Sequence, residues 1–346
     1  MSHYVLFTMT DVYPADYVLD ELLAPYDEST RVERYKSREE PKWVNSWASH
    51  CEHLLIFLES KGITAEDYYA DTIEGDSPWK REDGPIRSEF KRLHEDYVPS
   101  WGGEKDEYTR EDLVAMHAAI SAFSEGEEDE LQIDDEGLYR WSSYNPRSKW
   151  DWWQVGGRWA GYFKLKDGAK GEKGSPGLMG SQLSEDGVDI ARVGDIDWDA
   201  MLAERSEGVG ERWDRVRAVA QELPTPPEEG SSRDEWQAWW KSEAVSKVTE
   251  AFRRPHDVFP FFGGPAELEY VFDMERDEYI DFVAWNACLP YSYLDEDGWE
   301  EPGRMGWFGM STDTKESWLQ FKNKIKSKVL AKENQDKYLA ALDLHI

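Results

Sequence analysis

The chain has 346 residues, and its 40% hydrophobic and 14% aromatic content is enough for a packed core, which excludes a disordered chain. With 72 acidic and 40 basic residues, its formal net charge is −32. A surface this acidic repels duplex DNA and anionic membranes, so we expect no direct nucleic-acid partner and no membrane partner.

The cysteine content and the first residues predict a cytoplasmic protein. Cys51 and Cys288 are the only cysteines, too few for a disulfide framework, which fits a reducing compartment. The first residues lack the basic region and apolar run of a secretory signal, and no stretch approaches the length of a membrane span.

In chain order, the first part of the sequence predicts a strand followed by helices. Residues 4–9 are rich in β-forming residues, and residues 15–23 place apolar side chains at helical spacing. Residues 43–61 carry an apolar stripe at i, i+4 and i+8 that stops at Gly62, which predicts a second helix. Residues 111–123 predict a third helix.

The middle of the chain combines a glycine-rich run with helical patterns. Residues 158–166 alternate in polarity and predict a strand. The glycine run that follows has a period of three, but it is too short and too poor in proline for a collagen triple helix, so we predict a mobile loop. Helices are predicted over residues 198–221 and 234–253. The glycines of the run are Gly168, Gly171, Gly174, Gly177 and Gly180.

The C-terminal part predicts a hairpin, a helix and a last strand. Residues 281–294 contain a continuous apolar run and predict a strand, and residues 295–298 end in the Asp-Gly pair that is typical of hairpin turns. Residues 299–308 would form the return strand. A helix is predicted over residues 314–330 and a strand over residues 338–346.

These elements predict an α+β fold. The two chain ends, residues 1–30 and 266–346, together supply most of a ferredoxin-like antiparallel sheet. Residues 31–265 would then be a large helix-rich insertion that carries an aromatic segment at residues 139–166, although two independent domains or one continuous domain also fit. In the ferredoxin-like arrangement, the first and last strands are antiparallel neighbours, and the first and last helices share one face of the sheet.

Residues 145–159 combine tryptophans, cations, a carboxylate and a glycine pair. Lys149 and Arg158 could clamp an anion, the tryptophans could stack on a planar ring, and Asp151 could accept a hydrogen bond or act as a base. We expect the three charged side chains to converge on one pocket walled by tryptophan; a hydrophobic plug with salt bridges is the alternative. The predicted ligand-binding residues are Asn145, Ser148, Lys149, Asp151, Trp152, Trp153, Gly156, Gly157, Arg158 and Trp159.

A second group of candidates lies at the two chain ends. If the first and last strands pair, His3 comes opposite the strand end that carries Asp343 and His345, which share one strand face. Such a group predicts an acid–base pair or metal ligands, and solvent-exposed strand ends are the alternative. Together with Asp151, these three residues are the candidate catalytic residues. The sequence contains no metal-binding motif, and it identifies no cofactor.

The pattern Asn-Pro-x-Ser-Lys-Trp-Asp-Trp-x-x-x-Gly-Gly-Arg-Trp at residues 145–159 resembles that of an uncharacterised, largely phage-encoded protein family. The resemblance extends to residues 194–198, to residues 303–309 and to the terminal Asp-x-His-Ile, where Leu344 stands at a position that family members often fill with cysteine. It implies a phage or prophage origin and a location in the host cytoplasm. It implies no established activity.

Two functions are compatible with these observations. The first is binding of a small anionic, nucleotide-like ligand, which the protein would sequester or modify during host takeover or counter-defence. The alternative is an acidic interaction protein that inhibits a host enzyme by mimicking a polyanion such as DNA. The predicted partner is accordingly a small anionic ligand or a host protein, and whether the protein is an enzyme stays open.

Overall fold

The structure is a computed structural model that describes residues 2–64, 107–122, 130–228, 231–253, 265–305 and 311–346. It confirms a mixed α+β fold. The helices are α1 (Asp16–Leu23), α2 (Pro41–Lys61), α3 (Arg110–Ser121), α4 (Trp198–Ser206), α5 (Val209–Ala220), α6 (Arg233–Trp240), α7 (Glu243–Ala251), α8 (Pro265–Asp273), α9 (Arg276–Cys288) and α10 (Lys315–Leu330).

The strands are short except at the two chain ends. They are β1 (His3–Thr10), β2 (Tyr35–Arg38), β3 (Gln132–Asp134), β4 (Gly137–Ser142), β5 (Trp152–Gly157), β6 (Gly171–Glu172), β7 (Ser175–Pro176), β8 (Ile190–Arg192), β9 (Ser292–Asp295), β10 (Gly298–Glu300) and β11 (Tyr338–His345).

The chain divides into two compact units. The larger unit consists of Met1–Glu28 and Arg147–Ile346, and the smaller unit is Ser29–Pro146. The first division lies close to the predicted boundary at residue 30. The second lies at residue 146 rather than 265, so residues 147–265 belong with the chain ends and not with an insertion.

Local sequence features account for several helix boundaries. α2 begins at a proline and ends at Gly62, whose φ of 66° is typical of a helix C-terminus. The helix predicted over residues 198–221 is two helices, because Gly208 adopts a φ of 70° between them. The helix predicted over residues 234–253 is also divided, since Ser242 caps α7 by accepting the N–H of Val245.

In the larger unit, eight strands form one mixed sheet in the order β10–β9–β1–β11–β5–β7, with β8 paired to β11 and to β6. β1 and β11 are antiparallel neighbours, with His3 opposite His345. β1 also pairs with β9 in parallel, and β5 pairs with β11. The sheet therefore differs from the antiparallel ferredoxin-like sheet that we expected, because it contains parallel pairs and strands from the middle of the chain.

The first and last helices lie on opposite faces of this sheet, and the expectation of a shared face is wrong. Leu19 of α1 packs in the same core cluster as Leu6 of β1, whereas Ile325 of α10 packs in the cluster of Phe7. Neighbouring residues of a strand point to opposite faces, so the two clusters lie on the two sides of β1.

The strand predicted over residues 281–294 is wrong over most of its length. Residues up to Cys288 belong to helix α9, and only Ser292–Asp295 forms a strand. Ala284, Trp285 and Cys288 are buried at helical spacing, so the apolar run covers the core as one face of a helix. The Asp-Gly hairpin turn that follows is confirmed, since β9 and β10 pair on either side of it.

The glycine run forms part of the sheet instead of a free loop. Its residues contribute β6, which pairs with β8, and β7, which pairs with β5. A Cβ at Gly174 would lie 2.2 Å from the carbonyl oxygen of Val155, so glycine permits the close approach of the two backbones. No continuous strand runs through residues 158–166: β5 ends at Gly157, a turn follows, and Phe163 and Leu165 form isolated bridges.

The smaller unit contains a three-stranded sheet in the order β2–β4–β3, together with α2 and α3. Its core cluster includes Val44, Cys51, Met116 and Leu138. Cys51 is therefore a buried side chain of the helix stripe. Across both units, no helix of the described ranges is long and apolar enough to cross a membrane.

Candidate functional site

The segment that follows residue 147 is fixed to the sheet by backbone hydrogen bonds. The N–H of Lys149 donates to the carbonyl of Tyr26 at 2.8 Å, and the N–H of Asp151 donates to the carbonyl of His345 at 3.0 Å. β5 then pairs with β11, with Trp152 opposite His345. Because strand residues alternate, Trp152 and Trp153 point to opposite faces of the sheet.

Lys149 forms an ion pair within the fold. Its Nζ lies 2.5 Å from Oε1 of Glu301, and the indole N–H of Trp299 donates to the other oxygen of that carboxylate at 2.8 Å. The hydroxyl of Tyr4 also donates to the backbone carbonyl of Lys149. Lys149 therefore ties the segment that follows residue 147 to the chain next to strand β10, and its charge is neutralised there.

Two His–Asp pairs lie side by side at the end of the sheet. Nδ1 of His3 is 2.8 Å from Oδ1 of Asp343, and Nδ1 of His345 is 2.5 Å from Oδ1 of Asp151. The two imidazole centroids are 4.8 Å apart, and the ring of Trp152 lies 6.2 Å from that of His3. The four predicted catalytic candidates are thus brought together in one place.

The carboxylate of Asp343 is buried and accepts a backbone hydrogen bond. It is 1% exposed, and its Oδ2 accepts the backbone N–H of Arg158 at 2.9 Å. Gly157 makes room for it with a φ of 57°. Arg158 thus reaches the site through its backbone, while its guanidinium is exposed and makes no ion pair within the parts of the chain that the structure describes.

Three further predicted site residues, Asn145, Ser148 and Gly156, serve the framework. Asn145 and Ser148 are buried, and Gly156 packs against the carboxylate of Asp189, which accepts three backbone N–H groups. No ion pair in the described ranges joins Lys149, Asp151 and Arg158 to one another. The expected convergence of these three charges on one pocket is therefore not found, because separate partners hold Lys149 and Asp151.

A pocket of about 400 Å³ opens beside the His–Asp pairs. His3 and Trp159 line it, together with residues of three helices: Arg205 of α4, Asn286 of α9, and Trp318 and Lys322 of α10. We call it the cationic pocket, because it is lined by Arg205 and Lys322 and by no aspartate or glutamate of the described ranges.

Lys322 supplies a buried amine to the cationic pocket. Its Nζ donates to the carbonyls of Leu289 at 2.8 Å, Pro290 at 2.9 Å and Asn286 at 3.3 Å, and it lies 4.5 Å from the ring centroid of Trp318. Burial lowers the pKa of Lys322 to about 7. The carbonyls at the end of α9 favour the protonated amine, so the two effects oppose each other.

Arg205 is the unpaired cation of the cationic pocket. It lies in the last turn of α4 and is half-buried, and its side chain has no hydrogen bond or ion pair among residues whose positions are described. A guanidinium that is partly removed from water without a carboxylate partner favours an anion beside it.

Comparisons of the chain with protein-family models, with curated proteins and with solved structures found no match. The chemistry of the site is therefore the basis for a function. In the described ranges, no group of three or more His, Cys, Asp or Glu side chains is placed to hold a metal ion. His3 and His345 are engaged in His–Asp hydrogen bonds instead.

Arg205, Asn286 and Lys322 were not among the residues predicted from the sequence. Arg205 and Asn286 carry no local signal, since they become neighbours only through helix packing. For Lys322 a signal existed: it follows Phe321 on the apolar face of an amphipathic helix and is four residues from Trp318. A lysine on the buried face of a helix is unusual, because lysine is almost never fully buried without a partner.

Proposed function

We propose that the protein binds a small anionic, nucleotide-like ligand in the cationic pocket. One observation carries the proposal: in a chain with 72 acidic residues and a net charge of −32, this pocket is lined by the unpaired guanidinium of Arg205, by the amine of Lys322 and by no carboxylate of the described ranges. Its lining therefore differs in charge from the rest of the protein.

The charge of the lining favours an anion at short range. The acidic surface repels anions in solution, but that repulsion is screened by salt beyond about 10 Å. Inside a partly buried pocket, charges are screened much less, and the fork of Arg205 matches two oxygens of a phosphate or carboxylate. Lys322 adds positive charge in its protonated form, which the three carbonyl oxygens around its Nζ favour.

The size and aromatic walls of the pocket favour a ligand with a planar ring. Pockets for small organic ligands are typically about 300–1,000 Å³, and about 400 Å³ falls within that range. Trp159 and Trp318 both line the pocket, and an indole ring offers a flat surface on which a purine or pyrimidine stacks.

The resemblance of residues 145–159 to a phage-encoded family supports a biological setting for this binding. In the host cytoplasm, a phage protein of this kind would sequester or modify a nucleotide signal or a nucleotide pool during host takeover or counter-defence. The pocket chemistry supports the ligand class, and the resemblance supports the setting.

The experiment is calorimetry with a panel of nucleoside monophosphates, nucleoside diphosphates and cyclic dinucleotides, preceded by mass spectrometry of small molecules extracted from the purified protein. We compare Arg205→Gln with Arg233→Gln, which removes an exposed arginine of α6 outside the pocket lining. Loss of a charge-assisted hydrogen bond costs about 1.5–3 kcal/mol, so Arg205→Gln should weaken binding by about tenfold or more.

The control variant Arg233→Gln should bind as the wild type does, and circular dichroism should show that both variants are folded. Two outcomes contradict the proposal. One is that no panel member binds and no small molecule is extracted; the other is that Arg205→Gln binds the ligand as tightly as the wild type.

A further inference from the structure

His3, His345 and Trp152 form a row across three strands. His3 is opposite His345 in the pairing of β1 with β11, and His345 is opposite Trp152 in the pairing of β11 with β5. Side chains that are directly opposite each other project from the same face of a sheet. The row therefore presents two imidazoles and one indole together.

Both imidazoles have a carboxylate beside Nδ1, but the side chain of Asp343 is 1% exposed and that of Asp151 is 35% exposed. Each Nδ1 lies within hydrogen-bond distance of a carboxylate, 2.8 Å for His3 and Asp343 and 2.5 Å for His345 and Asp151. A carboxylate accepts only, so Nδ1 carries the proton in both rings. Nε2 is then the ring nitrogen that gains or loses a proton, and in the described ranges neither Nε2 has a hydrogen-bond partner.

The surroundings of Asp343 fix the orientation of the His3 ring more firmly than a contact at an exposed strand end would. Asp343 is 1% exposed and receives a backbone N–H from Arg158, and the chain reaches that position only through a glycine at residue 157. The two side chains of the imidazole pair keep 16% and 15% exposure, so both are accessible to a small molecule. A buried carboxylate behind a partly exposed imidazole is the arrangement that orients a general acid or base, and His3 has it. The more exposed carboxylate of Asp151 contacts His345 at the same ring nitrogen.

His3 connects this pair to the cationic pocket, because it lines the pocket and its imidazole belongs to the pair. With the centroids 4.8 Å apart, a ligand group that contacts the ring of His3 also comes within reach of His345. We propose that His3 and His345 are a general acid–base pair that hydrolyses a phosphodiester bond of a nucleotide bound in the cationic pocket. This inference rests on the proposed ligand binding and adds a reaction to it.

The reaction needs one proton accepted and one donated. The neutral imidazole accepts a proton from water at Nε2 while the water oxygen forms a bond to phosphorus. The protonated imidazole donates its Nε2 proton to the leaving oxygen while the phosphorus–oxygen bond to that oxygen breaks. The products are a phosphomonoester and an alcohol, and the two imidazoles end with exchanged protonation states. Asp343 and Asp151 stabilise whichever ring is positive.

The test uses 2′,3′-cyclic GMP and cyclic di-GMP as probes in water enriched in oxygen-18. Phosphorus NMR should show one heavy oxygen in the phosphomonoester product, which identifies water as the nucleophile. General acid–base catalysis contributes about 10²–10⁴-fold, so His3→Asn and His345→Asn should each lower kcat by about 100-fold or more. The bell-shaped pH profile of kcat should lose one limb in each variant.

The matched control is His53→Asn, which removes a histidine of the smaller unit. It should leave kcat unchanged. Since His345 does not line the cationic pocket, His345→Asn should keep ligand affinity by calorimetry while it loses turnover. A purely structural pair would change stability and leave the pH profile as it is. Asp151→Asn, at a turn residue, provides a second variant if a histidine variant does not fold; it should lower kcat because it destabilises the Nδ1–H form of His345.

The outcomes separate the two proposals. If a probe binds by calorimetry and the wild type releases no phosphomonoester, the acid–base inference is overturned and the ligand-binding proposal stands. If turnover continues unchanged in His3→Asn or in His345→Asn, the inference is also overturned. If neither these probes nor the wider nucleotide panel binds and no small molecule is extracted from the purified protein, both proposals fail.

Discussion

Gly157 leaves no room for a side chain against Asp343: a Cβ at residue 157 would lie 2.3 Å from the Cβ of Asp343. This contact joins the end of β5 to β11 and places the N–H of Arg158 on the buried carboxylate. Gly157 was predicted to be a ligand-binding residue. In the structure it allows close approach to the aspartate that holds His3, and the contact has measurable consequences.

Gly157→Ala should destabilise the protein by more than about 2 kcal/mol, because the new methyl group collides with Asp343 and the backbone is strained. Gly168→Ala is the matched control. Both glycines have a positive φ, 57° and 78°, but nothing lies within 4 Å of a Cβ at Gly168. Gly168→Ala should lower the free energy of unfolding by only about 1 kcal/mol, because alanine is disfavoured in a left-handed backbone conformation. Urea unfolding measures both, and equal losses would contradict the prediction.

Asp343→Asn should reverse the tautomer of His3. The amide oxygen still accepts the N–H of Arg158, so the amide nitrogen faces Nδ1 of His3, which then has to accept a hydrogen bond. Nitrogen-15 NMR of the imidazoles at a pH where they are neutral should show His3 protonated at Nε2. His345, held by Asp151, should keep its Nδ1 proton and serves as the internal control. An unchanged His3 spectrum would contradict the assigned geometry.

Lys149→Met should lower stability by about 1 kcal/mol and leave ligand affinity unchanged. The ion pair with Glu301 is partly exposed, at 22% and 13%, so its loss costs little. Lys149 does not line the cationic pocket. Calorimetry with the nucleotide panel distinguishes this from an anion clamp at residues 145–159: a loss of affinity as large as that of Arg205→Gln would favour the clamp.

Lys322→Met should remove a pH dependence of stability. Burial lowers the pKa of Lys322 to about 7 in the folded protein, whereas the unfolded chain keeps that proton up to about pH 10.4. Between these values the unfolded state binds more protons, so the wild-type free energy of unfolding rises with pH, by at most about 1.4 kcal/mol per pH unit.

Chemical unfolding of the wild type and of Lys322→Met between about pH 7 and about pH 9 measures this effect. The free energy of unfolding of the wild type minus that of Lys322→Met should rise with pH. A difference that stays constant would mean that the carbonyls of Leu289, Pro290 and Asn286 hold Lys322 protonated throughout.

The sequence by itself determined the elements whose signals are local. The strands at the two chain ends follow from β-forming residues, α2 from its apolar stripe and Gly62, and the β9–β10 hairpin from its Asp-Gly turn. It also grouped His3, Asp343, His345 and Asp151 as candidates. These signals act over a few residues, through backbone geometry and capping hydrogen bonds, so they can be recognised without the fold.

The tertiary structure alone decided how those elements combine. Residues 281–288 contain β-forming residues, yet they are helical because their apolar side chains fill one face against the core. The cationic pocket takes His3, Trp159, Arg205 and Lys322 from four distant parts of the chain. Their proximity depends on which strands pair and which helix faces pack, and those choices are set by the burial of the whole core and not by any local pattern.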